Sequence, residues 1–212
     1  MLSSIVHNMP SSPATNPFLY DLALQGPPEM LFIGPRRRKL IAPLEGLVLE
    51  IGAGTGLSLR YYSHATRVVA TEFDTASLPR LSSRAKLARA RVVVAAADAM
   101  RLPFPDATFD GLVCNLALCT ILDPQKALLE AQRVLKPGAP ARFLEHVRTG
   151  NRVQARVQDV LAPVWSNIAG GCRLNQDTER VIRMSGLNVE RVENRRGLLL
   201  PMKLVWARNQ KD

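Results

Sequence analysis

The segment Val48-Leu49-Glu50-Ile51-Gly52-Ala53-Gly54-Thr55-Gly56 constrains this chain more than any other. An apolar run ends in three alternating glycines and helix-compatible sequence follows, so the segment reads as a strand, a tight turn and a helix start. Glycines there remove side chains where the edge of a ligand must approach, and the helix that follows offers free N–H groups at its amino end. A nucleoside cofactor fits that arrangement. A dinucleotide fingerprint, G-x-G-x-x-G, would need a glycine where Leu57 stands, and a Walker loop would need a Gly-Lys-Ser or Gly-Lys-Thr that the chain lacks here, so NAD and ATP are disfavoured.

Two carboxylates extend the reading. Glu72 closes the next apolar run, Val68-Val69-Ala70-Thr71-Glu72, and stands beside the glycine turn if the first two strands are neighbours. A ribose presents two vicinal hydroxyl donors, and one ionised carboxylate can accept from both. Asp98 follows the third strand in Ala97-Asp98-Ala99-Met100, where it can accept from an adenine amine while Met100 or Phe73 covers the ring. A nicotinamide dinucleotide has no use for that second acid, whereas a cationic sulfonium cofactor carrying an adenine does.

The remaining pattern is a βαβ alternation. Strands are expected at Leu47 to Ile51, Arg67 to Glu72, Arg91 to Ala95, Phe109 to Cys114 and Ala141 to His146, with helices at Leu57 to Ser63, Thr75 to Ala90 and Pro124 to Leu135. Such an order requires right-handed crossovers and a parallel sheet covered on both faces, with ligands at the strands' carboxyl ends. The last third changes character. A helix is expected from Asn151 toward Pro163, a turn at Gly170-Gly171, and a helix near Gln176 to Met184. Two strands then follow, Leu187 to Glu193 and Leu198 to Arg208, paired as a hairpin around Gly197. Residues 1–17 read as a flexible tail and residues 18–43 as helical pieces broken by Gly26, Pro27, Pro28 and Pro35, forming a lid in which Phe18 and Tyr20 take part. The domain proper spans residues 44–212.

Composition narrows the class of partner. Lys and Arg exceed Asp and Glu by 28 to 18, but the surplus is spread along the chain without an interleaved aromatic series, which disfavours nucleic acid. No run approaches the roughly 20 apolar residues of a spanning helix, and the first residues lack the pattern of a secretory signal, so a cytoplasmic protein is expected. Cys114, Cys119 and Cys172 have no paired spacing and no histidine at ligand spacing, and neither a metal site nor a disulfide framework is expected.

With these residues in place the chain resembles the class I S-adenosylmethionine-dependent methyltransferases of the type-11 group, over about Leu44 to the C-terminus. The resemblance rests on Val48 to Gly56, Glu72, Asp98 with Leu102-Pro103-Phe104, and Glu130-Ala131-Gln132-Arg133-Val134-Leu135-Lys136-Pro137-Gly138. It implies a doubly wound Rossmann-like α/β sheet of seven strands, mostly parallel with a C-terminal antiparallel hairpin. It also implies S-adenosylmethionine as cofactor, its methionine part lined by Gly52, Gly54 and Gly56, its ribose by Glu72 and its adenine by Asp98. Glu50, Ala53, Phe73, Ala99, Met100 and Asn115 complete the expected cofactor set. A narrower likeness, through Val113 to Cys119, Leu144-Glu145-His146-Val147 and Trp165 with Gly170-Gly171-Cys172, is to methyltransferase-like thiol methyltransferases and bacterial relatives labelled phosphatidylethanolamine N-methyltransferases.

Methyl transfer from a sulfonium is an in-line displacement in which positioning the acceptor supplies much of the rate. His146, at the carboxyl end of the fifth strand, is the histidine placed to act as a base there, while the adjacent Glu145 points to the other face. Asn115 is not followed by the Pro-Pro-Tyr of amide and base N-methyltransferases. A small-molecule acceptor is therefore expected: thiol, amine, hydroxyl or activated carbon. The alternatives are a phospholipid acceptor at a membrane surface and a partner subunit that binds cofactor without catalysis. Arg148, Arg152 and Arg156 form a basic stripe opposite Val153, Val157, Val160 and Leu161, which suits either a solvated outer face or peripheral contact with an anionic membrane.

Overall fold

A computed structural model of the protein describes residue 26 and residues 29–168, 171–195 and 201–210. Seven strands form one sheet: β1 (Gly46–Ile51), β2 (Thr66–Glu72), β3 (Arg91–Ala96), β4 (Gly111–Asn115), β5 (Pro140–His146), β6 (Asn188–Arg195) and β7 (Met202–Arg208). Their order is β3-β2-β1-β4-β5-β7-β6, with β1 to β5 parallel and β7 antiparallel to both neighbours. The doubly wound sheet and its antiparallel C-terminal pair are those expected. Strand order reverses between β1 and β4, and in open α/β sheets ligands bind outside the carboxyl ends at such a point.

Alternation along the central strands builds two cores, one on each face. Leu49, Leu112, Phe143 and Val205 join one, with Leu128, Ala131 and Val134 of a helix, α3 (Pro124–Val134). Val48, Val113, Leu144 and Leu204 join the other, with Leu40 and Ile41 of α1 (Gly34–Ile41) and Leu81 of α2 (Leu78–Leu87). Successive side chains point to opposite faces, so strands covered on both sides are apolar throughout. Burial of β4 at all five positions follows from this.

Several local expectations are corrected. Leu57 to Ser63 forms only a single 3₁₀ turn, Leu59–Tyr61, which buries Leu59. Pro35 does not break the N-terminal segment: it occupies the first turn of α1, where a missing N–H costs nothing, after a π-turn at Glu29–Ile33. The fourth strand begins at Gly111 because Phe109 is taken by an isolated bridge to Leu135. Phe18 to Leu24, Pro27 and Pro28, Gly170, and Gly197 to Leu200 lie outside the described residues.

The largest correction concerns α4 (Arg152–Ile168), which runs through Pro163. Its valine stripe is not its inner face: Val153 and Val160 are 72% and 76% exposed, and Val157, Leu161 and Val164 are exposed beside them. Ala155, Gln158 and Ala162 are buried instead. The cause is polar. Gln158 accepts from the Thr149 N–H at 2.9 Å and donates to the Val147 carbonyl, which turns its side of the helix inward. Arg148 spans both carboxylate oxygens of Asp159, so the basic stripe is partly neutralised. Beyond α4, a short helix, α5 (Thr178–Met184), buries Ile182 in the first core.

Candidate active site

The three turn glycines all have positive φ, but they serve different ends. A Cβ on Gly52 would stand 2.4 Å from the Ala117 Cβ, and one on Gly56 would meet Leu81 at 2.9 Å, so at these two positions the missing side chain makes room for protein. At Gly54, with φ +56, an added Cβ would meet nothing within 4 Å. Of the three, Gly54 is the one that faces open space.

The two acids flank that opening. Glu72 accepts from the Gly54 N–H at 2.7 Å and from the Asp74 N–H at 2.8 Å, one bond to each carboxylate oxygen. Burial pushes its carboxyl above the ordinary range, and the backbone N–H groups oppose that push. Each oxygen retains acceptor capacity beyond its one bond. The turn and the second strand are further tied by Ala53 N–H to the Thr71 carbonyl and Ala97 N–H to the Glu72 carbonyl. Asp98 is half-buried and accepts from the Met100 N–H at 2.8 Å. The loop after it is braced from α3: Arg133 donates to the carbonyls of Leu102 and Phe104 and pairs with Glu130 and Asp106, while Glu130 accepts from the Leu102 N–H. Phe73, Ala99 and Met100 are half-buried beside these acids, and Ala53 is buried within the turn.

At the strand ends, register places Glu50, Asn115 and His146 on one face of the sheet, since Glu50 pairs with Val113, Asn115 with Leu144, and His146 lies two residues beyond. Burial pushes the Glu50 carboxyl up to about 7, against the opposing effects of Ser58, Tyr62 and Arg37. Asn115 donates to the Ser58 hydroxyl at 3.3 Å. Oε2 of Glu50 and Oδ1 of Asn115 are buried with no hydrogen-bond partner among the described residues. Buried polar atoms are seldom left so, and two acceptors on one face at the strand ends suit a polar ligand with an amino group. These features fit S-adenosylmethionine.

Past Asn115 the chain turns sharply. Leu116, a non-glycine residue at φ +59, leads into a loop whose Ala117 and Leu118 N–H groups both donate to Oε1 of Glu145 at 3.1 Å. Glu145 is therefore an internal brace on the other face from His146, and burial lifts its carboxyl to about 7. The turn delivers Cys119 to Cys172, their sulfurs 3.2 Å apart, and the Cys172 sulfur lies 3.8 Å from Nδ1 of His146. Cys119 and Cys172 are buried and His146 is half-buried. The Cys119 thiol, and then His146, hold the Cys172 thiol down at about 5 against the effect of burial. Sequence spacing gives no sign of this cluster, because the cysteines are 53 residues apart.

A methyltransferase-domain family model matches residues 49–143, the stretch that supplies the glycine turn, both acids and β4. The chain is 32% identical over 174 residues to the human thiol S-methyltransferase TMT1B, covering 76% of this chain and 71% of that protein. It is 33% identical over 132 residues to a phosphatidylethanolamine N-methyltransferase of Cereibacter sphaeroides, covering 60% and 65%. The crystal structure of a methyltransferase from Aquifex aeolicus superposes with a TM-score of 0.67 at 19% identity, over 92% of this chain and all of that one, which shows the shared fold. The chain belongs to the class I S-adenosylmethionine-dependent methyltransferases. Its activity is methyl transfer to a small-molecule acceptor, and it is similar to the thiol S-methyltransferases over most of its length.

Proposed function

We propose that this protein methylates small thiols, with S-adenosylmethionine held at the Gly52 to Gly56 turn. The observation that carries the cofactor's position is the opening at Gly54, flanked by Glu72 and Asp98 at the β1/β4 reversal. In this reading Glu72 accepts from the ribose hydroxyls and Asp98 from the adenine amine, with Phe73, Ala99 and Met100 along the base. Gly52, Ala53, Gly54 and Gly56 line the methionine part, whose ammonium Glu50 and Asn115 face with their unpartnered oxygens. When bound, the cofactor supplies a methyl group activated by its sulfonium. The chain's own contribution is to seat the acceptor beside it and exclude water. His146, on the same face as Glu50 and Asn115, belongs to the acceptor side, and the segment Glu29 to Ile41 walls that face. The choice of a thiol draws on the similarity to the thiol S-methyltransferases.

Two measurements test this reading. S-adenosylhomocysteine is expected to raise the melting temperature, because a ligand that binds only the folded state stabilises it, while NAD and ATP leave it unchanged. Labelled cofactor with thiols, quinols, amines and phospholipids, followed by mass spectrometry, should give an S-methyl product. Stabilisation by NAD alone would overturn the cofactor, and an N- or C-methyl product would overturn the thiol.

A second reading, a phospholipid acceptor reached at a membrane surface, is favoured by one observation. The exposed stripe Val153, Val157, Val160, Leu161 and Val164 lies along a helix that also carries Arg152 and Arg156. Among the described residues no helix is long and apolar enough to cross a membrane, so the contact would be peripheral. Flotation with anionic liposomes separates the readings: floating protein that methylates phosphatidylethanolamine would favour the second.

A further inference from the structure

Cys119, His146 and Cys172 come from three separate segments: the loop after β4, the end of β5 and the stretch between α4 and α5. One ligand atom from each lies within 4.8 Å of the other two. Buried cysteines are common as small apolar side chains, and Leu174 and Trp165 do pack against this pair. Packing alone does not explain why an imidazole nitrogen joins them. A disulfide would use the two sulfurs and leave His146 idle, and its sulfurs would stand about 2.05 Å apart. A tetrahedral zinc ion, with bonds of about 2.0 to 2.3 Å, spaces its ligand atoms by about 3.5 to 3.8 Å. The sulfur-to-nitrogen distance here, 3.8 Å, lies close to that spacing, and the two sulfurs, at 3.2 Å, would part by about half an ångström to receive the ion.

The surroundings hold the three groups in place. The Arg173 N–H and its Nε both donate to the Cys119 carbonyl, at 3.0 and 3.3 Å, and another of its guanidinium nitrogens donates to the Ile121 carbonyl. Thr178 donates from its hydroxyl to the His146 carbonyl at 3.0 Å, and Gln176 reaches the Leu118 carbonyl. The loop after β4 and the stretch before α5 are thus fastened together around the cluster. An outer layer of this kind fixes the orientation of metal ligands. Two thiolates and a neutral imidazole balance a divalent ion in an apolar shell, and an acceptor bound as a thiolate adds one negative charge.

We propose that Cys119, His146 and Cys172 bind a zinc-class divalent ion whose fourth position takes the acceptor as a thiolate. Three protein ligands with one exchangeable position is the pattern of a catalytic zinc site, and the group contains no fourth protein ligand among the described residues. On coordination the acceptor's S–H bond gives way to a sulfur–metal bond and the proton leaves to solvent, because a coordinated thiol is deprotonated outright. No separate base is then required, and His146 acts as a ligand through Nδ1. The assignment of the fourth position rests on the thiol reading above; the ion site does not.

Cobalt(II) tests both. Full-length protein, reduced and stripped of metal, is titrated with Co²⁺. One ion per chain is expected, with the near-ultraviolet charge-transfer absorption of cobalt–thiolate bonds and the visible bands of a tetrahedral ion. Adding 2-mercaptoethanol should raise the charge-transfer intensity by about half, as a third sulfur joins two. Cys119→Ser and Cys172→Ser should each lose about half of it, and Cys114→Ala, outside the cluster, none; circular dichroism confirms that each variant is folded. The wild-type titration stands even if a variant fails to fold. Wild-type protein without the cobalt–thiolate band, or with a Cys119–Cys172 disulfide that forms in place of metal binding, would overturn the site. A band that the thiol leaves unchanged would overturn the acceptor role. An N-methyl product from protein that binds the ion would sink the thiol reading instead and leave the ion site standing.

Discussion

The two halves of the site are built in opposite ways. In the half proposed to hold the cofactor, the turn, Glu72 and Asp98 follow one another along consecutive strands β1 to β3, and each is fixed by hydrogen bonds from backbone N–H groups. In the half proposed to take the acceptor, Cys119, His146 and Cys172 are drawn together from segments up to 53 residues apart by a left-handed Leu116 and by Arg173. A binding site for an invariant cofactor can be carried by a continuous stretch of chain. A site that determines the acceptor is assembled from loops, which can change without disturbing the sheet.

The sharpest way to break this comparison is at Gly54. Gly54→Ala places a methyl in the open space, so S-adenosylhomocysteine affinity should fall at least about a hundredfold, or about 2.7 kcal/mol, while stability falls by only about 1 to 2 kcal/mol for the left-handed backbone. Gly52→Ala should do the reverse and chiefly destabilise, because its Cβ would collide with Ala117. Equal affinity in the Gly54 variant, read by calorimetry, would mean that the cofactor lies elsewhere.

Next come the acids. Asp98→Ala should weaken binding about ten- to a hundredfold, the value of roughly 1.5 to 3 kcal/mol for a hydrogen bond to a charged group, with a smaller loss of stability because the Met100 N–H loses its acceptor. Glu72→Ala should cost at least as much affinity. It should also lower stability, since the Gly54 and Asp74 N–H groups lose their acceptor. If the Glu72 variant kept full stability, those two bonds would not hold the turn.

Glu50 tests the same half through pH. Its carboxyl is held at about 7 in the folded protein against an ordinary 4.5, so the fold keeps a proton that the unfolded chain has lost in between. Stability without cofactor should therefore fall as pH rises from about 4.5 to about 7 and level off above, by on the order of 1 to 3 kcal/mol from this group. Glu50→Gln should lessen that slope in a urea-denaturation series, with Glu145, also lifted to about 7, supplying the remainder, and an unchanged slope would show that Glu50 is already ionised.

The acceptor half should respond independently. His146→Ala is expected to leave S-adenosylhomocysteine affinity within about twofold while thiol turnover drops; a large loss of cofactor binding would erase the division between the halves. The smallest effect belongs to α4. Val160→Ser, on the exposed stripe, should shift stability by less than about 0.5 kcal/mol, and a larger loss would mean that the stripe is covered by something in solution.

Legibility in the sequence follows the same division. The strands of both cores could be read because apolar runs that end in Gly-x-Gly-x-Gly, Glu72 and Asp98 carry a local signal. The same run did not reveal that a side chain on Gly52 or Gly56 would meet Ala117 or Leu81, since those neighbours arrive from β4's loop and α2. Helix α4 misled for a related reason. Its valines have the period of a buried stripe, but one glutamine bonded to the backbone at Val147 and Thr149 settles which side turns inward. The cysteine–histidine cluster depends wholly on tertiary approach, and no spacing rule reaches across three elements.

The position of β7 has a consequence for how the chain is made. It lies between β5 and β6 yet follows every other strand in sequence, so the sheet is joined through its latest member. Until residues 202–208 have emerged from the ribosome, β5 presents an unpaired edge and β6 has no strand beside it. Until then the nascent chain carries an open sheet edge, the state in which strands pair with the wrong neighbour. A stop codon or frameshift shortly before Met202 would leave that edge permanently exposed, and such a product should be found with chaperones or in aggregates although every residue of the cofactor half is present.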